Sequence, residues 1–170
     1  MTGVAARSAL LDRLASAPAR LAAAANALDA AEEGVGPPAG EWTARQSLGH
    51  LCRVETEVFG ARLDALEGDR PPTWVWHEPD TAEAAFMATT DLVLAEFANR
   101  RSATLARVSQ LDEAGWAKWG IHATFGRLDV AGLLSVLADH DDDHATGMLA
   151  RAGAPRHSDG GGTMANRGTP

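Results

Sequence analysis

The sequence predicts an all-helical bundle in a single domain, on three observations. Four segments repeat apolar residues at threes, fours and sevens. Gly/Pro-rich or tryptophan-bearing connections separate them, and no stretch alternates like a strand. A chain of 170 residues with 45% apolar content is long enough to close one core.

The first helix is expected from Ala5 to Leu28, with Leu10, Leu14, Leu21 and Ala25 on one face, until "EEGVGPPAGEW" breaks it with glycine and proline. The second opens after Thr43, where "TARQ" offers a capping box between the Thr43 hydroxyl and the Gln46 side chain, and it stops near Gly68. "DRPPTWVWHEP" cannot be helical across its prolines. "DTAEAAF" then begins a long third helix, with Asp80 and Glu83 in capping positions, that reaches Ser109. A second tryptophan-bearing connection, "LDEAGWAKWGIHATFGR", leads to a fourth helix capped by Asp129 and running to Ala152. The bundle is thus assigned to residues 1–152. The Gly-rich stretch 153–170 has almost no large apolar side chain to offset the entropy of ordering, so disorder is expected there.

A formal net charge of −8 and a pI near 5.1, with no Lys/Arg cluster, leave no basic face for phosphates, which argues against a nucleic-acid partner. The single cysteine, Cys52, cannot form an intramolecular disulfide. The opening residues are too polar for a signal segment and no apolar run reaches spanning length, so a cytoplasmic protein without a membrane partner is expected.

The chemistry is concentrated in "LLSVLADHDDDHATGML". Laid on a helix, Leu133, Leu137, His140, His144 and Met148 form one stripe, so both imidazoles face the bundle. Histidines at i and i+4 can present two nitrogens to one ion. Asp142 falls opposite His140 and reads as a solvated charge, while Asp141 and Asp143 flank the stripe, within reach of a ligand's second nitrogen or a bound water. The plainer reading is an inward histidine hydrogen-bonded in the core. His50, at the edge of the apolar face of the second helix, is a candidate third ligand or a cap for a neighbouring carbonyl.

Other residues invite weaker readings. His77 and His122 follow tryptophans on the two connections, where Trp74, Trp76, Trp116 and Trp119 either cover the ends of the bundle or wall a pocket. Cys52 sits two residues from His50, off its face, and reads as a buried inert thiol. Of two helix carboxylates, Glu57 lies nearer the azimuth of His50 than Glu55 and is the better acid–base candidate, although solvent is the default for both. Arg45, Arg53 and Arg127 are candidates for a pocket rim.

Three markers in order, Trp42-Thr43, Gly49-His50-Leu51 and His140-Asp141-Asp142-Asp143-His144, make residues 5 to 152 resemble the DinB-like family of metal-binding four-helix bundles. The resemblance implies an up-down-type four-helix bundle in which His50, His140 and His144 bind a divalent metal at one end of a pocket. It also implies frequent homodimers and activities in which the metal activates a low-molecular-weight thiol for transfer to a small electrophile. Three imidazoles leave a coordination position open for water or substrate, and zinc is expected ahead of nickel. Family members that act as mycothiol-dependent isomerases carry a further C-terminal domain, so a transferase, hydrolase or binding protein is expected instead. Three classes follow: a metal-dependent enzyme on a small molecule, a metal- or small-molecule-binding bundle without turnover, and a helical interaction module whose histidines are core polar groups.

Overall fold

Each long helix begins and ends where local chemistry dictates. The computed structural model describes residues 3–77, 79 and 89–154. Helix α1 (Val4–Glu32) outlasts its predicted end by one turn and stops where Gly34 and Gly36 take positive φ, a region open to glycine, and the Glu32 carbonyl accepts from the Val35 and Gly36 amides. Its buried face is Leu14, Ala17, Leu21, Ala24, Ala25 and Leu28.

Helix α2 (Ala44–Arg53) opens with the predicted capping box: the Gln46 amide donates to Thr43 Oγ1 at 3.1 Å and the Thr43 amide to Gln46 Oε1 at 2.9 Å. A π-helical segment (Val54–Gly60) and helix α3 (Ala61–Ala65) continue the path, so the single expected helix is interrupted by seven residues of wider winding.

Helix α4 (Thr90–Ser109) begins after an extended Thr89, whose hydroxyl accepts from the Leu92 amide. A helix continuous through that point is therefore ruled out. The expected start at Asp80, with Glu83, lies outside the described residues.

The two tryptophan-bearing connections, which read as strand-free in the sequence, are not simple loops. After the short helix α5 (Glu113–Trp116) they build a three-stranded sheet from β1 (Thr73–Trp74), β2 (Trp119–His122) and β3 (Gly126–Asp129), in which β1 is parallel and β3 antiparallel to β2. Strands of two to four residues are too short to display alternation, which is why the pattern is silent. Gly120 has a steric reason to be glycine, since a Cβ there would stand 2.4 Å from the Trp74 ring. Helix α6 (Val130–Ala152) starts on the predicted cap, the Gly132 amide donating to Asp129 Oδ1 at 2.8 Å. Among the described residues no helix is long and apolar enough to cross a membrane.

Helix α1 packs along α6 and α4, α2 packs on α4, and α2 meets α6 over a short stretch. The apolar core is divided in two: Leu14, Val54, Phe59, Val108, Leu133 and Leu137 belong to one cluster, and Leu21, Leu48, Leu51, Val93, Phe97 and Met148 to the other. Between them, along every long helical path, lies a polar layer.

Its centre is Arg101 of α4, 1% exposed. The guanidinium donates to Glu55 at 3.0 and 2.8 Å, to Asp141 at 2.7 Å, and through Nη1 to the Leu14 carbonyl at 3.1 Å. That carbonyl is available for a reason visible in the chain, because four residues later stands Pro18, inside α1, with no N–H to offer. Burial pushes the Asp141 carboxyl up to about 6 even though Arg101 pulls it down.

Removing one member of a buried ion cluster leaves the rest uncompensated, at a cost of about 3–5 kcal/mol. Arg101→Met should therefore lose about that much in urea unfolding at pH 7, and a midpoint equal to the parent's would contradict the clamp.

Candidate metal centre

His50 comes from the last full turn of α2, and His140 and His144 from successive turns of α6. The i,i+4 spacing puts the second pair on one face, and the short α2–α6 contact brings the first ring to it. One ring nitrogen from each residue lies within 4.8 Å of the other two. His50 Nε2 and His140 Nε2 are 3.4 Å apart, and two nitrogens held tetrahedrally by one zinc ion would stand roughly 3.3 Å apart. The ring centroids are 5.4 Å apart for His50 and His140, 5.1 Å for His50 and His144, and 4.6 Å for His140 and His144. The sequence-predicted set is thus brought together whole.

One of the three donors is held in the protonation state a metal requires. Burial, then the neighbouring His144 and His50 rings and the charge of Arg101, push His140 down to about 3, so its imidazole is neutral at physiological pH. His140 Nδ1 is buried with no hydrogen-bond partner among the described residues. Packing three basic rings this closely resists protonation and suits a cation.

A groove of about 770 Å³ opens onto His140 and His144 and is also lined by Trp42, Ser47, Asp143 and Arg151. Trp42 packs on His50 at 5.1 Å between ring centroids, and Trp76 reaches His140 at 5.9 Å, so one of the four connection tryptophans does meet the site. Trp74 and Trp116 are buried away from the groove, Trp116 beneath Arg7.

Several expectations require correction. Neither Arg53 nor Arg127 lines this groove: Arg53 pairs with Glu57, and Arg127 stacks over Trp119 at 4.1 Å. Arg45 is not among the lining residues either. The rim arginine is Arg151, held by Glu32, Glu41 and the Trp42 carbonyl. It belongs to the last turn of α6, three residues past the stripe residue Met148, a position at which the helical pattern alone carries no functional signal.

Neither helix carboxylate lines the groove: Glu57, expected to be the better placed, is exposed on Arg53, and Glu55 is the one that turns inward, where it is buried on Arg101. The π-helical turns rotate the face after Arg53, and an azimuth computed at 3.6 residues per turn fails across them. Asp141 does not orient a histidine but pairs with Arg101. Asp142 is no solvated charge but is half-buried against Arg13 at 2.5 Å and Arg20 at 2.7 Å of α1. Burial would raise the Asp142 carboxyl, yet these hydrogen bonds hold it below its usual range. Asp143 is the member of the run that faces the groove.

His77 is exposed and outside the cluster, and His122 is buried against Arg62. Cys52 is buried as expected, its thiol 3.7 Å from the Val93 carbonyl.

Comparison with known proteins identifies the family and a shared fold. The family model described as the DinB superfamily matches residues 13–147. Among solved structures the chain is similar to YfiT from Bacillus subtilis, described as "a probable metal-dependent hydrolase with an unusual four-helix bundle topology". The TM-score is 0.67 at 17% identity, over 91% of this chain and 92% of that one. No curated protein matches the chain.

The two carboxylates make a direct contrast. Glu57→Gln removes an exposed i,i+4 pair and should cost below about 1 kcal/mol, while Glu55→Gln strips a partner from a buried cation and should cost about 3–5 kcal/mol. Parallel urea unfolding curves check the order, and equal losses would contradict the burial of Glu55 against the exposure of Glu57.

Proposed function

The chain belongs to the DinB superfamily, and from that premise we propose that it is a metal-dependent enzyme whose His50, His140 and His144 hold one divalent ion, zinc ahead of nickel. The observation that carries the reading is the convergence of three ring nitrogens, from two helices ninety residues apart in the chain, to within 4.8 Å. An ion so held supplies Lewis acidity, lowering the pKa of a water or thiol enough to give a nucleophile at neutral pH.

The protein's own residues do the rest. His140, kept neutral by burial, offers a lone pair without first having to lose a proton at pH 7. Asp143, on the groove wall beside both α6 histidines, accepts the proton released by the nucleophile. The wall formed by Trp42 and Met148 gives a small electrophile an apolar seat. Hydrolysis is the first reaction in this proposal, supported by the description of YfiT. Transfer of a low-molecular-weight thiol, supported by the family resemblance, is the finer form. A homodimer in the cytoplasm belongs to the same proposal.

Protein purified without a nickel column should contain close to one equivalent of divalent metal by mass spectrometry, and His140→Ala should lower that at least tenfold while the chain still folds. Metal content unaffected by His140→Ala would refute the ligand set. Given one equivalent of metal, the loaded protein should turn over a generic ester or activated electrophile. Acceleration of at least tenfold by one member of a panel of low-molecular-weight thiols selects transfer, and turnover indifferent to all of them selects hydrolysis.

A further inference from the structure

One indole away from the histidines lies a buried cation with no anion beside it among the described residues. Arg62 of α3 is 4% exposed. Its Nη2 donates to the Val75 carbonyl at 3.2 Å, while its Nη1 is buried with no acceptor. Aromatic rings surround it, with Cζ 5.4 Å from the Phe59 centroid, 6.0 Å from Trp74 and 5.9 Å from Trp76, the ring that also meets His140. Among the described residues no carboxylate pairs with Arg62, in contrast to Arg101, which has two. A guanidinium does not deprotonate in proteins, so a full charge is buried here against aromatic faces and one carbonyl, with no carboxylate among the described residues to neutralise it.

His122 carries an independent sign of the same deficit. Its Nδ1 accepts from the backbone amides of Thr124 at 3.1 Å and Phe125 at 3.4 Å, and amides can only donate. In a neutral ring the proton must then sit on Nε2. That nitrogen faces Arg62 Nη2 at 3.2 Å, a donor set against a donor. Burial, then the charge of Arg62, lower the His122 pKa, which favours the neutral ring. On the strand paired in register with His122, Trp74 Nε1 is a further buried donor without an acceptor. Three donors from α3, β1 and β2 thus lack an acceptor among the described residues, and buried donors of this kind call for a water or an anion to complete them.

We propose that Arg62 and His122, with Trp74 beside them, form a binding site for a small carboxylate. One guanidinium neutralises one negative charge, and its planar fork matches the two oxygens of a carboxylate. The aromatic walls and few donors disfavour a phosphate dianion, whose oxygens would be left under-satisfied in an apolar surround. Trp76 and Phe125, the side chains packed next to Arg62 and His122, are 40% and 52% exposed, so solvent is one side chain away. The site stands whether or not the histidines hold an ion.

The test uses the full chain, labelled with nitrogen-15 and titrated with sodium acetate at constant ionic strength, while histidine-ring and indole resonances are followed. His122 and Trp74 are assigned by loss of their signals in His122→Asn and Trp74→Phe. Acetate should shift the His122 Nε2 resonance saturably. Arg62→Met should abolish the shift, and Arg62→Lys, which keeps the charge without the fork, should weaken binding at least tenfold should the Met variant not fold. Chloride and methyl phosphate, added in separate arms, should each bind at least tenfold more weakly than acetate. No saturable change at His122 with acetate, or the same change in the Arg62 variants, would overturn the site. Chloride or methyl phosphate binding as well as acetate would overturn its assignment to carboxylates.

Discussion

The guanidinium of Arg101 bonds to one partner from each of the other long helical paths: the Leu14 carbonyl of α1, Glu55 in the π-helical segment, and Asp141 of α6. A charged layer of this kind adds little net stability over an apolar one, because desolvation offsets most of the Coulomb attraction. What it supplies is register. Any slip of one helix along another would strand a buried charge, whereas leucines slide past one another at small cost. Pro18 takes part, since a residue with an N–H at that position would compete for the carbonyl that Arg101 uses.

That register bears directly on the histidines. Asp141 is the residue after His140, and Glu55 lies five after His50, so the clamp fixes both ligand-bearing segments just below the rings they carry. A trio of nitrogens within 4.8 Å has to be set before an ion can use it, and the polar layer around Arg101 sets it without hydrogen bonds to the rings. Asp142, gripped by Arg13 and Arg20, adds a further tie from α6 to α1. The run of three aspartates, odd in a buried helix, is explained residue by residue: Asp141 points into the core, Asp142 to the neighbouring helix and Asp143 to the groove.

Much of this was legible in the chain because it is local or periodic. The Thr43 capping box, the Asp129 cap and the inward stripe of His140 and His144 follow from spacing alone, and the structure contains all three. The failures share a different origin. The phase of Glu55 and Glu57 depends on π-helical winding, which no apolar repeat announces. The partners of Asp141 and Asp142 depend on which helix lies opposite, and an azimuth on one helix does not contain that information. The small sheet depends on pairing between β1 and β2, strands more than forty residues apart and too short to show a period. Arg62 and His122 were invisible as a pair for the same reason, lying sixty residues apart and meeting only through that sheet.

The central claim is that one ion is shared by imidazoles of α2 and α6. X-ray absorption at the metal edge of zinc-loaded protein tests it most directly, since scattering from the outer atoms of each ring counts histidine ligands. The account predicts three imidazoles and a lighter donor in the fourth position, falling to two imidazoles in His50→Ala. A first shell with one imidazole or none, or one unchanged by His50→Ala, would contradict it.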